Sequence, residues 1–349
     1  MRPITIKVGV IGAGSIARQR HLNEYHNNPD VEIAGICDFS KERAQQLVDI
    51  FGGKVYESSD DLISDPAIDA VSVCVANKFH AELTIAALNK GKHVLCEKPM
   101  AVTLEDCQRM VMAADANNKR LLIGQNQRLA PAHIKAKEIL DSGKLGRVIS
   151  FQSTFGHRGP EMWCVDKNAD TWFFKKDTAA FGSMADLGIH KIDLLCYLIS
   201  DEVTAVFSAL STLDKKFSDG TPIEVDDNSI QILHFKKGTL GTVTTSWTHY
   251  GEECNATILY CEKGIMKLYH DPKYSLEIVS ENGTLSQYEL DRMQTNEDNQ
   301  QASSGVIDMF VDAIIDQNPT PLDAREVLQS MRVVFACLES AKTGMPLAI

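Results

Sequence analysis

The stretch Val8-Gly-Val-Ile-Gly-Ala-Gly-Ser-Ile-Ala17 decides the fold. A β-branched run leads directly into Gly12, Gly14 and Ala17 as GxGxxA, and a helical pattern follows from about Ser15. Gly12 allows the tight turn after a strand, Gly14 lets a pyrophosphate approach the backbone, and the helix N-terminus offers free N–H groups, here from Ser15 and Ile16. The pattern alone is weak, but its surroundings strengthen it. A second strand, VEIAGIC, ends at Asp38, 21 residues beyond Ala17, where a dinucleotide fold places the carboxylate that takes the adenosine ribose hydroxyls. Phe39 and Ser40 follow, with no arginine beside the carboxylate, so NAD is expected over NADP; Lys41 and Arg43 keep NADP open.

The same grammar extends outward. From residue 5 to 124 short buried-strand runs (ITIKVGVI, VEIAGIC, AVSVCVA, HVLCE, RLLIG) alternate with helical segments, which specifies a parallel sheet with right-handed crossovers. After about residue 128 a helix, a strand, a long aromatic loop and another helix lead into VTAVFSAL, NSIQILHF, GTVTTSWTHY, ATILYC, GIMKLYH, SLEIVS and LSQYEL, punctuated by turn residues. The expectation is an α/β chain: a doubly wound Rossmann domain over 1–128, then an α+β domain over 129–349 with a large, mostly antiparallel open sheet. If helices cover one face of that sheet, the other exposes Ile230, Ile232, Val243 and Trp247, and a homodimer or homotetramer follows.

Composition narrows the classes of function. The chain has 349 residues, and 35 basic against 47 acidic side chains give a net charge of -12, which opposes nucleic acid and anionic lipid as partners. No leader sequence and no run of about 18 apolar residues is evident, so a cytoplasmic location without a membrane segment is the expectation. Nine cysteines cannot all pair, and no CxxC occurs, so neither disulfides nor a structural zinc site is expected.

The second chemistry-bearing stretch is Ser183-Met-Ala-Asp-Leu-Gly-Ile-His-Lys-Ile-Asp-Leu-Leu195. At about 100° per residue, Asp186, His190, Asp193 and Tyr197 share one stripe of an otherwise apolar helix. It either lines a cleft or satisfies itself as a buried polar cluster. Lys98, following the strand HVLC, lies at the C-terminal strand edge where such sheets bind ligands. A lysine charge and a histidine able to exchange a proton near neutrality are what oxidation of a secondary alcohol needs. Asp186 would orient His190, and Asp193 would support the helix. A metal at Asp186 and His190 is disfavoured by the lysine charge, so none is expected.

With GxGxxA, VCVANKFH, GKHVLCEKPMA and DLGIHKID in this order, the chain resembles the Gfo/Idh/MocA oxidoreductases over essentially its whole length. The resemblance implies that Lys98 and His190 are catalytic with Asp186 in support, and that Gly12, Gly14, Ser15, Ile16, Asp38, Ala76, Asn77, His80, Glu97, Lys98 and Gln125 border the cofactor. Lys98, Arg128, His157, Trp163, Trp172, Asp186 and His190 would face a cyclic polyol, sugar or sugar derivative. Two departures, AFGSMA with only Gly182 and Ala76 where a proline is frequent, bear on loop shape. The expected activity is hydride transfer between nicotinamide and a secondary alcohol or ketone. The alternatives are a glycosidase that retains NAD and works by transient oxidation and elimination, and a non-catalytic NAD-binding regulator.

Overall fold

The structure, a computed structural model, describes residues 5–165, 167–292 and 303–349. These fall into two units: 5–126 with 163–165 and 303–328, and 127–162 with 167–292 and 329–349. The chain is therefore not divided by a single cut. In the first unit Ile123 N donates to Leu322 O and Leu122 bridges Asp323, which ties the 303–328 segment to the end of a strand near residue 122.

The first unit is built on strands β1 (Ile6–Ile11), β2 (Val31–Cys37), β3 (Lys54–Val55), β4 (Ala70–Val73), β5 (His93–Cys96) and β6 (Leu121–Ile123). All pair in parallel, in the order β3-β2-β1-β4-β5-β6. Every residue of β4 is buried, as expected for a strand covered on both faces. Ser40, Ser58 and Thr103 start the helices Lys41–Phe51, Ser59–Ser64 and Leu104–Ala116 by accepting from the backbone N–H three residues on. Chain order reverses between β1 and β4, which places the switch point beside the glycine loop.

The second unit carries β7 (Val148–Gly156), β8 (Val203–Ser211), β9 (Asn228–Phe235), β10 (Leu240–Ser246), β11 (Thr257–Cys261), β12 (Gly264–Leu268), β13 (Leu276–Ser280), β14 (Leu285–Tyr288) and β15 (Leu347–Ala348). Their order is β14-β13-β12-β11-β7-β10-β9-β8-β15, antiparallel throughout except for β7 against β10. This is the expected α/β architecture, a Rossmann sheet with a second, mostly antiparallel one.

One expectation about this sheet is corrected. Ile230 and Ile232 are exposed as foreseen, but Val243 and Trp247 are fully buried. In the β9/β10 register Ile230 faces Thr244 and Ile232 faces Thr242, while Val243 opposes buried Gln231. Period-two alternation then sends Val243 and Trp247 to the covered face. The exposed face carries Ile149, Phe207, Ile230, Ile232 and Leu240 instead.

Candidate active site

In the first unit the glycine loop is shaped by backbone contact on one side and open space on the other. Gly12 has φ +102°, and a Cβ there would lie 2.2 Å from the Cys74 carbonyl oxygen, so a side chain is excluded twice over. A Cβ on Gly14 would meet nothing within 4 Å, which leaves room for a ligand against the backbone. Asp38 accepts from Ala13 N at 2.7 Å and Ser40 N at 2.8 Å, with Arg43 Nη2 3.5 Å away and its guanidinium over the Phe39 ring. Since a carboxylate has about four acceptor positions, Asp38 keeps capacity for a ribose. Gln125 is buried, and neither atom of its side-chain amide has a partner among the described residues. An open glycine, a fixed carboxylate and an orphaned buried amide fit a dinucleotide.

Of the other expected cofactor neighbours, His80 and Glu97 turn their side chains inward. Ser15 Oγ donates to the carbonyl of Trp163 at 3.2 Å, so Trp163, read from sequence as a substrate residue, belongs to the nucleotide-binding unit. His80 is buried, with Nδ1 2.7 Å from Pro99 O and Nε2 3.0 Å from Val75 O; burial lowers its pKa, opposed by these backbone contacts. It braces the turn after β5 from inside. Ala76 and Asn77 stand between these two contacts in sequence, at the start of the short helical turn Asn77–Phe79. Glu97 is likewise interior: Oε1 meets His21 Nε2 at 2.9 Å, and Oε2 accepts from Lys98 N at 3.1 Å. Lys98 follows it half-buried, at the C-terminal edge of the sheet.

In the second unit the expected stripe comes apart. The segment Met184–Gly188 is a π-helix in which Ile189 N donates to Met184 O, and only from Ile189 to Ile199 is the helix α. The wider turn breaks the rotation of 100° per residue on which the stripe was drawn. Asp193 lies with Arg128, whose Nε and Nη2 donate to its two carboxylate oxygens at 2.7 and 2.6 Å, and Ser330 Oγ adds a third bond at 2.6 Å. Tyr197 lies under the Arg128 guanidinium. Arg128, expected at the substrate, forms half of a buried ion pair in which two parallel bonds to Asp193 fix its guanidinium.

Asp186 keeps different company. Its Oδ2 accepts from Trp247 Nε1 at 3.0 Å and lies 3.6 Å from His157 Nε2. His157 Nδ1 accepts from Gly159 N, so Nε2 carries the proton and points at the carboxylate. Asp226 fixes the start of the π-turn by accepting from Gly182 N, Ser183 Oγ and Met184 N at 2.7 to 2.8 Å. His190 is buried against Phe155, with ring centroids 6.1 Å apart. Trp172 stacks on Phe173 at 3.8 Å, and Phe173 packs on the cluster of Phe155, Phe174, Leu187, Ile223, Val225 and Trp247.

Sequence reading missed four residues here. Trp247 was placed on the outer face, and Asp226 and His21 carried no signal by spacing. Lys191, next to His190, is fully buried, donates to Asn255 O and Thr257 Oγ1, and has its pKa lowered to about 7 by burial. All nine cysteines are free thiols. Among the described residues no helix is long and apolar enough to cross a membrane.

Residues 6–125 match the family model described as "Oxidoreductase family, NAD-binding Rossmann fold", and residues 133–267 match that of the "GFO/IDH/MocA C-terminal domain". The chain is 33% identical over 258 residues to glucose-6-phosphate 3-dehydrogenase of Bacillus subtilis, covering 72% of this chain and 71% of the relative. It is 30% identical over 275 residues to levoglucosan dehydrogenase of Pseudarthrobacter phenanthrenivorans, covering 70% and 68%. A solved structure of levoglucosan dehydrogenase in complex with NADH and levoglucosan has the same fold, with a TM-score of 0.87 at 23% identity and 99% of each chain covered.

Proposed function

The chain belongs to the GFO/IDH/MocA family of oxidoreductases with an NAD-binding Rossmann fold, and on that premise we propose that it oxidises a secondary hydroxyl of a sugar, sugar derivative or cyclic polyol, or reduces the corresponding ketone. NAD, when bound, supplies the hydride acceptor. Gly12, Gly14, Ser15, Ile16, Asp38 and Gln125 hold it, and Asp38 favours NAD over NADP because a 2′-phosphate would face a carboxylate. The observation that carries the reading is Lys98 at the C-terminal edge of a parallel sheet, its backbone held by Glu97 and its following turn by His80.

The proposed roles follow from residue chemistry. His190 takes the hydroxyl proton, and the Lys98 ammonium stabilises the negative charge growing on that oxygen. Asp186, held by Trp247 and faced by His157, sets its carboxyl group near the start of the His190 helix. Asp193 and Arg128 hold the helix rather than the substrate. The names of the two relatives support a sugar substrate, and they lend nothing to the glycosidase or regulator readings. We also propose that a second copy of this chain covers the exposed apolar face of the nine-stranded sheet.

The test is turnover with NAD across a panel of pyranoses, their phosphates and glycosides, and inositols, following the NADH absorbance. Lys98→Met and His190→Ala should each cut turnover by about 100-fold or more while leaving NAD affinity within about threefold. A His190→Ala enzyme at near wild-type rate from about pH 6 to 9 would remove the proton role from that residue.

A further inference from the structure

Behind Lys98 lies a buried chain of hydrogen bonds that the proposed chemistry does not use. Tyr25 Oη meets Ser72 Oγ at 2.8 Å, Ser72 Oγ meets His21 Nδ1 at 3.1 Å, His21 Nε2 meets Glu97 Oε1 at 2.9 Å, and Glu97 Oε2 accepts from Lys98 N at 3.1 Å. Every side chain in it is at least nine-tenths buried. His21 reaches this position from the π-helix Ala17–Leu22, whose wider turn buries Arg20 and His21 together. Gly124 makes room on the far side, since a Cβ there would lie 3.0 Å from Glu97 Oε1.

Ser72, His21 and Glu97 have the order of a hydrolytic triad, but Ser72 is fully buried under Tyr25 Oη, so no electrophile reaches its oxygen. Nor does the chain conduct protons outward, because its far end is the fully buried Tyr25 phenol, whose pKa burial pushes far up. What remains is a fixed polarity. If Tyr25 donates to Ser72 and Ser72 donates to His21 Nδ1, then His21 must carry its proton on Nε2 and donate to Glu97. The reverse polarity would leave the Tyr25 hydroxyl without an acceptor among the described residues.

We propose that His21 is a positioning residue for Lys98: its Nε2–H, set by the Tyr25–Ser72 pair, holds the Glu97 carboxylate in the orientation that fixes the Lys98 backbone. This rests on the assignment of Lys98 to the reaction. Burial raises the Glu97 pKa, but the His21 hydrogen bond and the nearby Arg20 and Lys98 charges outweigh it and bring Glu97 down to about 2, so the carboxylate stays ionised throughout the working range. Without the His21 donor, burial would act with less opposition, and Glu97 would protonate at higher pH and release the Lys98 amide.

The test uses the full chain in three variants. In wild type, nitrogen NMR of labelled histidines should show His21, assigned by loss of its signal in His21→Leu, as the neutral Nε2–H tautomer; the Nδ1–H form overturns the proposal. His21→Leu should lower kcat by about tenfold or more with KM for NAD little changed, and should move the acid limb of the kcat profile to higher pH. His21→Gln, whose amide keeps a donor near the Nε2 position, should restore most of both. Ser72→Ala combined with Tyr25→Phe, which unlocks the tautomer without stranding a buried hydroxyl, should lower kcat by about threefold with the melting temperature little changed, so a misfolded His21→Leu does not block the test. Equal losses in the Leu and Gln variants with an unmoved pH profile would mean a purely structural role and overturn the proposal. So would wild-type turnover in folded His21→Leu while Lys98→Met is inactive. An active Lys98→Met would instead refute the role of Lys98 itself, and the proposal would fall with it.

Discussion

Replacing Lys191 with methionine should change how stability depends on pH, by an amount the structure sets. Lys191 is fully buried beside Phe155, with Nζ donating to Asn255 O at 2.9 Å and Thr257 Oγ1 at 3.1 Å. Burial lowers its pKa from 10.5 to about 7, while Cys254 and Glu253 oppose the change. Because the folded pKa is depressed, the unfolded chain binds more protons than the folded one between these values. Stability therefore rises with pH across that window, and the full penalty of burying the charge applies below about pH 7. At about 1.4 kcal/mol per pH unit the whole window is worth about 5 kcal/mol, and the stretch from about pH 7 to 9.5 about 3 kcal/mol, since half the folded lysines are already neutral at its start.

Wild type alone would hide this. The buried thiols Cys107 and Cys196 are pushed up to about 12 and Cys261 to about 11, so each contributes stability that is lost as pH rises through the unfolded thiol pKa. The difference between wild type and Lys191→Met cancels that slope. His133, on the neighbouring helix, is held down at about 3 by burial and by Lys191 itself, and is neutral throughout the window in both proteins. Methionine fills the channel but leaves the Asn255 carbonyl without its donor, a cost of about 1–3 kcal/mol that does not vary with pH here. Urea unfolding followed by tryptophan fluorescence, which Trp247 in the same unit reports, should show the stability of Lys191→Met relative to wild type falling by about 3 kcal/mol from about pH 7 to 9.5. A flat difference would mean that Lys191 is not titrating in the interior, and the reasoning would be refuted.

Three further outcomes are expected. Asp193→Asn leaves the Arg128 guanidinium buried without its counter-charge and should cost about 3–5 kcal/mol in urea unfolding at neutral pH; a loss below about 1 kcal/mol would make the pair dispensable. Phe207→Asp with Ile230→Lys charges the exposed face of the large sheet and should lower the mass by light scattering at micromolar concentration, whereas a wild-type monomer would end the proposal of a second copy there. Asp38→Ser removes the carboxylate that a 2′-phosphate would meet and releases Arg43, so the ratio of kcat/KM for NAD to that for NADP should fall by about tenfold or more; an unchanged ratio would place cofactor choice elsewhere.

How far the sequence could be read depended on whether a feature is local. Gly12, Gly14 and Asp38 were legible because a dinucleotide turn needs its glycines and its carboxylate at fixed separations, and the structure shows the reason in the Cys74 carbonyl 2.2 Å from a Cβ on Gly12. The strands of the second sheet were legible from alternation and turn residues, but their faces were not. Sidedness depends on register between strands, which is why Val243 on β10 and Trp247 just after it were assigned to the wrong side while Ile230 and Ile232 were not. The stripe failed for a third reason. Helical phase was projected at a constant angle through Met184–Gly188, where one wider turn is enough to separate the partners of Asp186 from those of Asp193. A similar widening at Ala17–Leu22 hid His21. Both π-turns lie at the start of a helix that presents residues to the proposed chemistry, and in each a polar side chain is turned inward onto a distant carboxylate or indole. A π-turn is held by its tertiary partners rather than by any strong local preference, so its trace in sequence is an inward-facing polar residue one step out of phase with the apolar pattern. On that view His21→Leu and Trp247→Phe should do more than remove a hydrogen bond. Each should let its turn relax toward α geometry, visible as a change in amide exchange across residues 17–22 or 184–188 alone, and exchange unchanged in both segments would show that the turns do not depend on these partners.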